Sequence, residues 1–291
     1  MKTYDFAFSL GWACGCSQAL RAAGLQFASY PFDWLGAYDI LCGARVIANG
    51  FDRFLEAEDL RLIEVSHGAG FCTRMYLNER TGFGFSHEFS DFEPFAQSFP
   101  NVQKVYHRRS VRFLEELQAS RRILAVYVEQ PERGRINDAD VAESLRLLRA
   151  SCPQATVEIL CFYEDPQVKR PQVVSEADGI TVVAADYQVM DGEIVTQFMN
   201  LSGLTAFLRE QISVVDRRTP EEKAKFAADQ KRMHSGRWGY DKSAFRRWLN
   251  QRAYKAYRSL EKILRKRGLI HRERKVVFWD EQWIREHGRV S

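Results

Sequence analysis

No run of 18 consecutive apolar residues occurs in the 291-residue chain, so no membrane-spanning helix is expected. The first residues, Met-Lys-Thr-Tyr-Asp-Phe, lack the charged-then-apolar build of a secretory signal, and a cytoplasmic location follows as the expectation. Cysteine is sparse and irregularly spaced: Cys14, Cys16, Cys42, Cys72, Cys152 and Cys161. No C-x-x-C pair is present, which argues against structural zinc, and no metal site is expected. A disulfide framework is not expected in a cytoplasmic chain of this size. Glycine-rich phosphate loops are missing as well. Gly11-Trp12-Ala13-Cys14-Gly15 fits neither G-x-G-x-x-G nor a Walker sequence. There is no internal repeat and no low-complexity segment.

What the chain does have is an uneven charge. Its net charge is +4, but the residues from Arg217 onward hold 22 Lys+Arg against 9 Asp+Glu, leaving the rest of the chain at −9. An acidic body with a basic C-terminal quarter points to an anionic partner.

Apolar periodicity sets out the fold. Tyr-Asp-Phe-Ala-Phe-Ser-Leu-Gly reads as a first strand. A helix follows over residues 16–25, with Gly24 as its C-cap. A short helix is expected over residues 39–48. Residues 66–100, rich in Gly, Phe and polar groups, read as a long irregular region of the kind that often carries function. Val102, Tyr106, Phe113 and Leu117 share one face of a helix over residues 102–119. Arg-Ile-Leu-Ala-Val-Tyr-Val-Glu-Gln is a strand. A capped helix over residues 137–151 turns Val141, Leu145 and Leu148 inward. Two more buried strands follow, one of them carrying Cys161 as an inert core thiol. This order predicts an α/β fold with a central parallel or mixed sheet covered by helices. An α/β domain over 1–213 would precede a basic helical extension over 214–291. That extension includes the amphipathic run Ala-Phe-Arg-Arg-Trp-Leu and the docking tryptophans Trp238, Trp248, Trp279 and Trp283.

The residues able to carry chemistry centre on Ser9-Leu10-Gly11-Trp12-Ala13-Cys14-Gly15-Cys16. A strand ends, Gly11 permits a tight turn, and a thiol falls near a helix N-terminus. Unsatisfied N–H groups there favour negative charge, which would lower the thiol pKa and could stabilise an oxyanion. Cys14 at the turn is favoured as nucleophile over Cys16, which would lie inside the helix. The base would come from a histidine. His67 and His87 lie in the irregular region, and His87 is flanked by aromatics in Phe-Ser-His-Glu-Phe, while His107 reads as a surface residue. Asp33, Asp91 and Asn78 are candidates to orient it.

Several of these stretches resemble a family of uncharacterised bacterial proteins described as papain-like cysteine peptidases. They are Ser-Leu-Gly-Trp-Ala-Cys, Ser-Tyr-Pro-Phe-Asp-Trp-Leu, Phe-Ser-His-Glu-Phe and Tyr-His-Arg-Arg-Ser-Val-Arg-Phe-Leu-Glu-Glu-Leu followed by Arg-Ile-Leu-Ala-Val-Tyr-Val, in that order over residues 5–165. The resemblance implies that Cys14 and His87 occupy the family's proposed catalytic positions and that Asp33 is a site or scaffold residue. A papain signature would be C-G-[SA]-C-[WY] with a histidine 130 or more residues on. Cys14-Gly15-Cys16 is one residue short of it, and His87 is much closer. A nucleophile directly after a first strand is more similar to the turn of small α/β esterases and acyltransferases. The resemblance further implies a link to surface-polysaccharide gene sets, hence acyl transfer to a sugar, with a coenzyme A-type donor as the one cofactor to consider.

Candidate substrate-binding residues are Gly11, Trp34, Arg108, Arg109 and Arg112. Arg108 and Arg112 are spaced i,i+4 on one helix face and could grip a phosphate or carboxylate. The leading expectation is a thiol-dependent hydrolase or acyltransferase acting on a small-molecule, glycan or peptide substrate. The alternatives are a non-catalytic binding protein docked on a partner or on an anionic membrane surface through the basic C-terminus, peripheral at the inner membrane, and a sugar-nucleotide transferase. No nucleic-acid partner is expected, because no reader motif is present.

Overall fold

The computed structural model describes residues 1–11, 13–36, 39–68, 71–90, 94–130, 133–187, 190–191, 194–195 and 201–235. Asp91, the side chains of His67 and Cys72, and the basic segment beyond Ser235 with its four tryptophans lie outside what is described. Contacts divide the chain into two compact units, the larger holding residues 1–66 and 72–216 and the smaller holding residues 67–71 and the segment that starts at Arg217. The larger carries both sheets described below. The described part of the smaller includes helix α6, Pro220–Ser235.

In chain order the larger unit runs β1 (Lys2–Tyr4), β2 (Phe6–Ser9), α1 (Ala13–Ala22), a 3-10 turn (Pro31–Trp34), β3 (Leu35–Gly36) and α2 (Ile40–Ala48). It continues with β4 (Leu60–Gly68), β5 (Phe71–Asn78), β6 (Gly84–Ser90), α3 (Phe95–Ala119), β7 (Arg122–Val128) and α4 (Asp138–Ser151). Then come β8 (Thr156–Glu164), β9 (Gln172–Ala177), β10 (Ile180–Ala185), the short pair β11 (Met190–Asp191) and β12 (Ile194–Val195), α5 (Leu201–Gln211) and β13 (Ile212–Val214). The α/β architecture expected from the sequence is the one observed.

The central sheet has the order β2-β7-β8-β10-β9. Its first four strands are parallel, and β9 is antiparallel at the edge. Buried parallel strands need apolar side chains on both faces, and the alternation shows how they divide. Phe6, Phe8, Ile123, Ala125 and Tyr127 face α2, α3 and α4. Ala7, Leu124, Val126 and Val128 face α1 and α5. Val102, Tyr106, Phe113 and Leu117 are buried from α3, and Val141, Leu145 and Leu148 from α4, as their spacing predicted. Phe113 packs edge-on against Phe8 at 4.8 Å and Phe32 at 5.9 Å, tying α3 to the sheet and to the 3-10 turn. Each such fully buried ring contributes about 1.5–3 kcal/mol.

The structure corrects the reading of residues 66–100. This segment supplies β5, β6 and the end of β4 to a four-stranded sheet in the order β3-β6-β5-β4, and α3 begins at Phe95. Its Gly and polar content hid the strands because one face is not buried. Asn78 turns the β5–β6 hairpin: its Oδ1 accepts the N–H groups of Arg80 (3.1 Å) and Thr81 (2.9 Å), and its Nδ2 donates to Phe54 O at 3.1 Å. Gly82, at φ +75°, closes that turn. Asn78 is therefore engaged as a turn former. Edge strand β9 was not anticipated either: all six of its residues are exposed. Gly24 does cap α1, at φ +77°, with Leu25 N–H donating to Leu20 O at 2.9 Å. Among the described residues no helix is long and apolar enough to cross a membrane.

Candidate active site

β2 delivers the chain to the carboxyl edge of the parallel sheet beside β7. Leu10 N–H continues the pairing by donating to Val126 O at 2.8 Å. Gly11 then lies so close to β7 that a Cβ there would meet Val128 N at 2.4 Å. Only glycine fits, so the approach of the two backbones dictates the residue before the nucleophile turn. Gly11 acts here through the backbone.

Helix α1 starts two residues later and places Cys14 in its first turn, half-buried. Cys16 is buried at 1% exposure and donates its S–H to Val126 O at 3.3 Å. The two thiols are thus inequivalent: Cys16 packs against β7 beneath the helix, and Cys14 keeps access to the edge. Burial pushes the Cys14 thiol up from its ordinary value, against the opposing effect of its own backbone N–H. Desolvation outweighs the helix terminus, so the sequence expectation of a depressed pKa does not hold in the resting state. Burial likewise pushes Cys16 up, to about 12. The N–H groups of a first helical turn lack carbonyl partners within the helix.

The Ser17 hydroxyl donates to Cys14 O at 3.1 Å and to Asp33 O at 2.9 Å, bridging α1 to the 3-10 turn. Asp33 is fully buried. Its Oδ2 accepts from Arg21 at 2.6 Å, Gln26 at 2.8 Å and Tyr30 N–H at 2.9 Å. Burial pushes its carboxyl up, and Arg21 is the largest opposing influence. The carboxylate is committed to pinning α1 against the Pro-Phe-Asp-Trp turn, with no hydrogen bond to a histidine among the described residues. Trp34 lies under the Arg21 guanidinium, 5.5 Å from ring centroid to Cζ.

His87 belongs to the antiparallel sheet. Opposite Arg74 and Tyr76 the pairing of β6 jumps from Phe85 to Phe89, so His87 sits in a bulge, and its side chain is exposed. Its N–H donates to Glu88 Oε2 at 3.0 Å, and Glu88 Oε1 accepts from Tyr106 OH at 2.7 Å. Among the described residues no hydrogen bond joins His87 to Cys14. The two are linked through the scaffold: Ser17 ties Cys14 to the 3-10 turn, β3 follows that turn, and Leu35 of β3 pairs with Phe85 of β6.

The arginines of α3 separate. Arg112 donates to Ser29 O at 3.2 Å, Arg109 stacks on Tyr106 at 4.9 Å, and Arg108 is exposed. Arg112 and Arg109 are thereby engaged with the protein itself. Among the described residues no group of three or more His, Cys, Asp or Glu side chains is placed to hold a metal ion.

A strand, a backbone-tight glycine and a thiol in the first turn of a helix define an α/β protein with a strand–turn–helix junction bearing Cys14 at the edge of a parallel sheet. Residues 5–150 match the family described as "Putative papain-like cysteine peptidase (DUF1796)"; this is half of the chain, and the chain belongs to that family. It is also similar to "Uncharacterized protein R408" of Acanthamoeba polyphaga mimivirus, at 28% identity over 179 residues, covering 56% of this chain and 79% of that protein. No solved structure matches it.

One residue of the edge escaped the reading of the sequence. Glu129 directly follows β7, is 6% exposed, and accepts from Tyr127 OH at 3.0 Å and Gln130 N–H at 2.7 Å. The signal was present in Val-Tyr-Val-Glu-Gln: a carboxyl closing an otherwise apolar strand.

Proposed function

We propose that the protein is a thiol-dependent acyl hydrolase with Cys14 as its nucleophile and His87 as its base. The observation that carries this reading is the place of Cys14, in the first turn of α1 at the carboxyl edge shared by β2 and β7. Sγ attacks an acyl carbon, and the developing oxyanion is held by the N–H groups of that turn. The half-buried resting thiol, raised by desolvation, is protonated at neutral pH, so its proton must leave as substrate binds. His87, on the strand that pairs with β3, is the group assigned to take it. Family membership supports cysteine chemistry. Hydrolysis and acyl transfer share the acylation half of such a reaction and differ only in the acceptor of the thioester.

Hydrolysis of 4-nitrophenyl acetate tests the assignment. Wild type and Cys16→Ala are expected to turn over the ester at similar rates, with Cys14→Ala slower by at least about 100-fold. Equal rates for wild type and Cys14→Ala would overturn it.

A further inference from the structure

The carboxyl edge of the parallel sheet has a second wall that the thiol alone does not use. β2 leads into α1, which covers one face of the sheet, and β7 leads into α4, which covers the other. Neighbouring parallel strands whose following helices leave to opposite faces open a crevice at their carboxyl ends, where a ligand can lie across both. The closeness of Gly11 to Tyr127 and Val128 keeps β2 and β7 side by side right up to this edge. Cys14 comes three residues after Gly11 on one wall, and Glu129 comes directly after Val128 on the other.

Glu129 is held as a reacting group would be. Tyr127 OH and Gln130 N–H both fix Oε1, and Arg133 Nη1 stands 3.8 Å from the same atom. Tyr187 OH donates to the Glu129 carbonyl at 2.7 Å, anchoring the backbone as well. Among the described residues none donates a hydrogen bond to Oε2. Burial pushes the carboxyl up from its ordinary value, Arg133 and the Gln130 N–H oppose this, and Asp39 at the start of α2 adds to it. A buried carboxyl costs desolvation that an apolar side chain in the same space would avoid.

We infer that Glu129 donates the proton to the leaving group and then acts as base for the attacking water, across the crevice from Cys14. This rests on Cys14 being the nucleophile. In acylation the Cys14 proton passes to His87, the sulfur–carbon bond forms, and the bond to the leaving oxygen or nitrogen breaks as that atom takes the proton from Glu129 Oε2. In deacylation a water oxygen bonds to the acyl carbon and gives one proton to Glu129. The sulfur–carbon bond breaks, and the thiolate recovers its proton from His87. Both groups end as they began.

The test compares two esters with the same acyl group, 4-nitrophenyl acetate and phenyl acetate, by kcat/KM, which reports acylation. Nitrophenolate departs without a proton, and phenolate is the poorer leaving group that needs one. Glu129→Gln is expected to lower kcat/KM for phenyl acetate by about 100-fold and for 4-nitrophenyl acetate by no more than about 3-fold, in line with one lost general acid. Glu129→Asp, which keeps the carboxyl, is expected to restore part of the phenyl acetate rate. Equal losses on both esters, or none, would overturn the inference. Intact mass after acid quench separates the two ideas. If wild type forms no acetyl adduct on Cys14, the nucleophile assignment itself fails. If Cys14 is acetylated in both proteins and the ratio between the esters is unchanged, only the role of Glu129 falls.

Discussion

Cys14 and His87 are positioned by two sheets of opposite construction, one at the head of the helix that follows β2 and the other within β6. The parallel sheet is covered on both faces, and Phe8, Ile123, Ala125, Val126 and Tyr127 are all fully buried. The antiparallel sheet buries Phe85 and Phe89 and exposes His87 between them. Cys14 therefore takes its position from a closed core, and His87 takes its position from a bulge in a half-covered strand. Positional precision comes from packing, so the thiol wall is fixed by the fold and the histidine side has fewer constraints.

Breaking the closed side should cost the most. Asp33→Ala removes the buried partner of Arg21, whose own side chain is only 11% exposed, and leaves that guanidinium without its carboxylate. A loss of about 3–5 kcal/mol is expected by urea unfolding. A loss below about 1 kcal/mol would mean that the pinning of α1 to the 3-10 turn is dispensable.

Cys16 gives a second, smaller test of the same core. Burial pushes its thiol up from the ordinary value of 9.0 to about 12 in the folded state. Between those values the folded state keeps a proton that the unfolded state has lost. Stability is thus fully present below pH 9 and falls as pH rises above it, by up to about 1.4 kcal/mol per pH unit from this one group. Cys16→Ala should flatten the decline in unfolding free energy between pH 9 and 10.5 by roughly 1–2 kcal/mol. Parallel curves for the two proteins would contradict the buried setting of that thiol.

The smallest structural effect belongs to the open side. His87→Ala changes an exposed side chain, so stability should move by no more than about 0.5 kcal/mol. Ester turnover should nevertheless fall by about 100-fold. Loss of stability together with activity would point to a structural role. Unchanged activity would remove His87 from the mechanism.

The contrast between the sheets also decides what was legible in the sequence. Strands β2, β7, β8 and β10 announced themselves because burial on both faces demands near-continuous apolar runs. The helices α3 and α4 were equally plain from their 3.6-residue period. β4, β5 and β6 were not, since a bulge, a Gly-closed hairpin and an open face disrupt the alternation that marks a strand. At the site, Cys14 and Cys16 were told apart by their positions relative to the turn. The direction of the Cys14 shift was missed because sequence shows the helix terminus but not how deeply the thiol is covered. Asp33 stood out through its motif, and the structure shows why that position is demanding: Arg21, Gln26 and the Tyr30 N–H all converge on one of its oxygens. Glu129 was read only as the end of a strand, because its proximity to Gly11 depends on the pairing of β2 with β7 across more than 100 residues of chain.

The central claim is that Cys14, alone among the cysteines, forms the acyl bond. Wild-type protein turning over 4-nitrophenyl acetate can be quenched in acid and its peptides mapped by mass. The account predicts an acetyl thioester on the peptide bearing Cys14, located at Cys14 by fragmentation and absent from Cys14→Ala. An acetyl group on another cysteine, or turnover with no acetyl group on any cysteine, would contradict it.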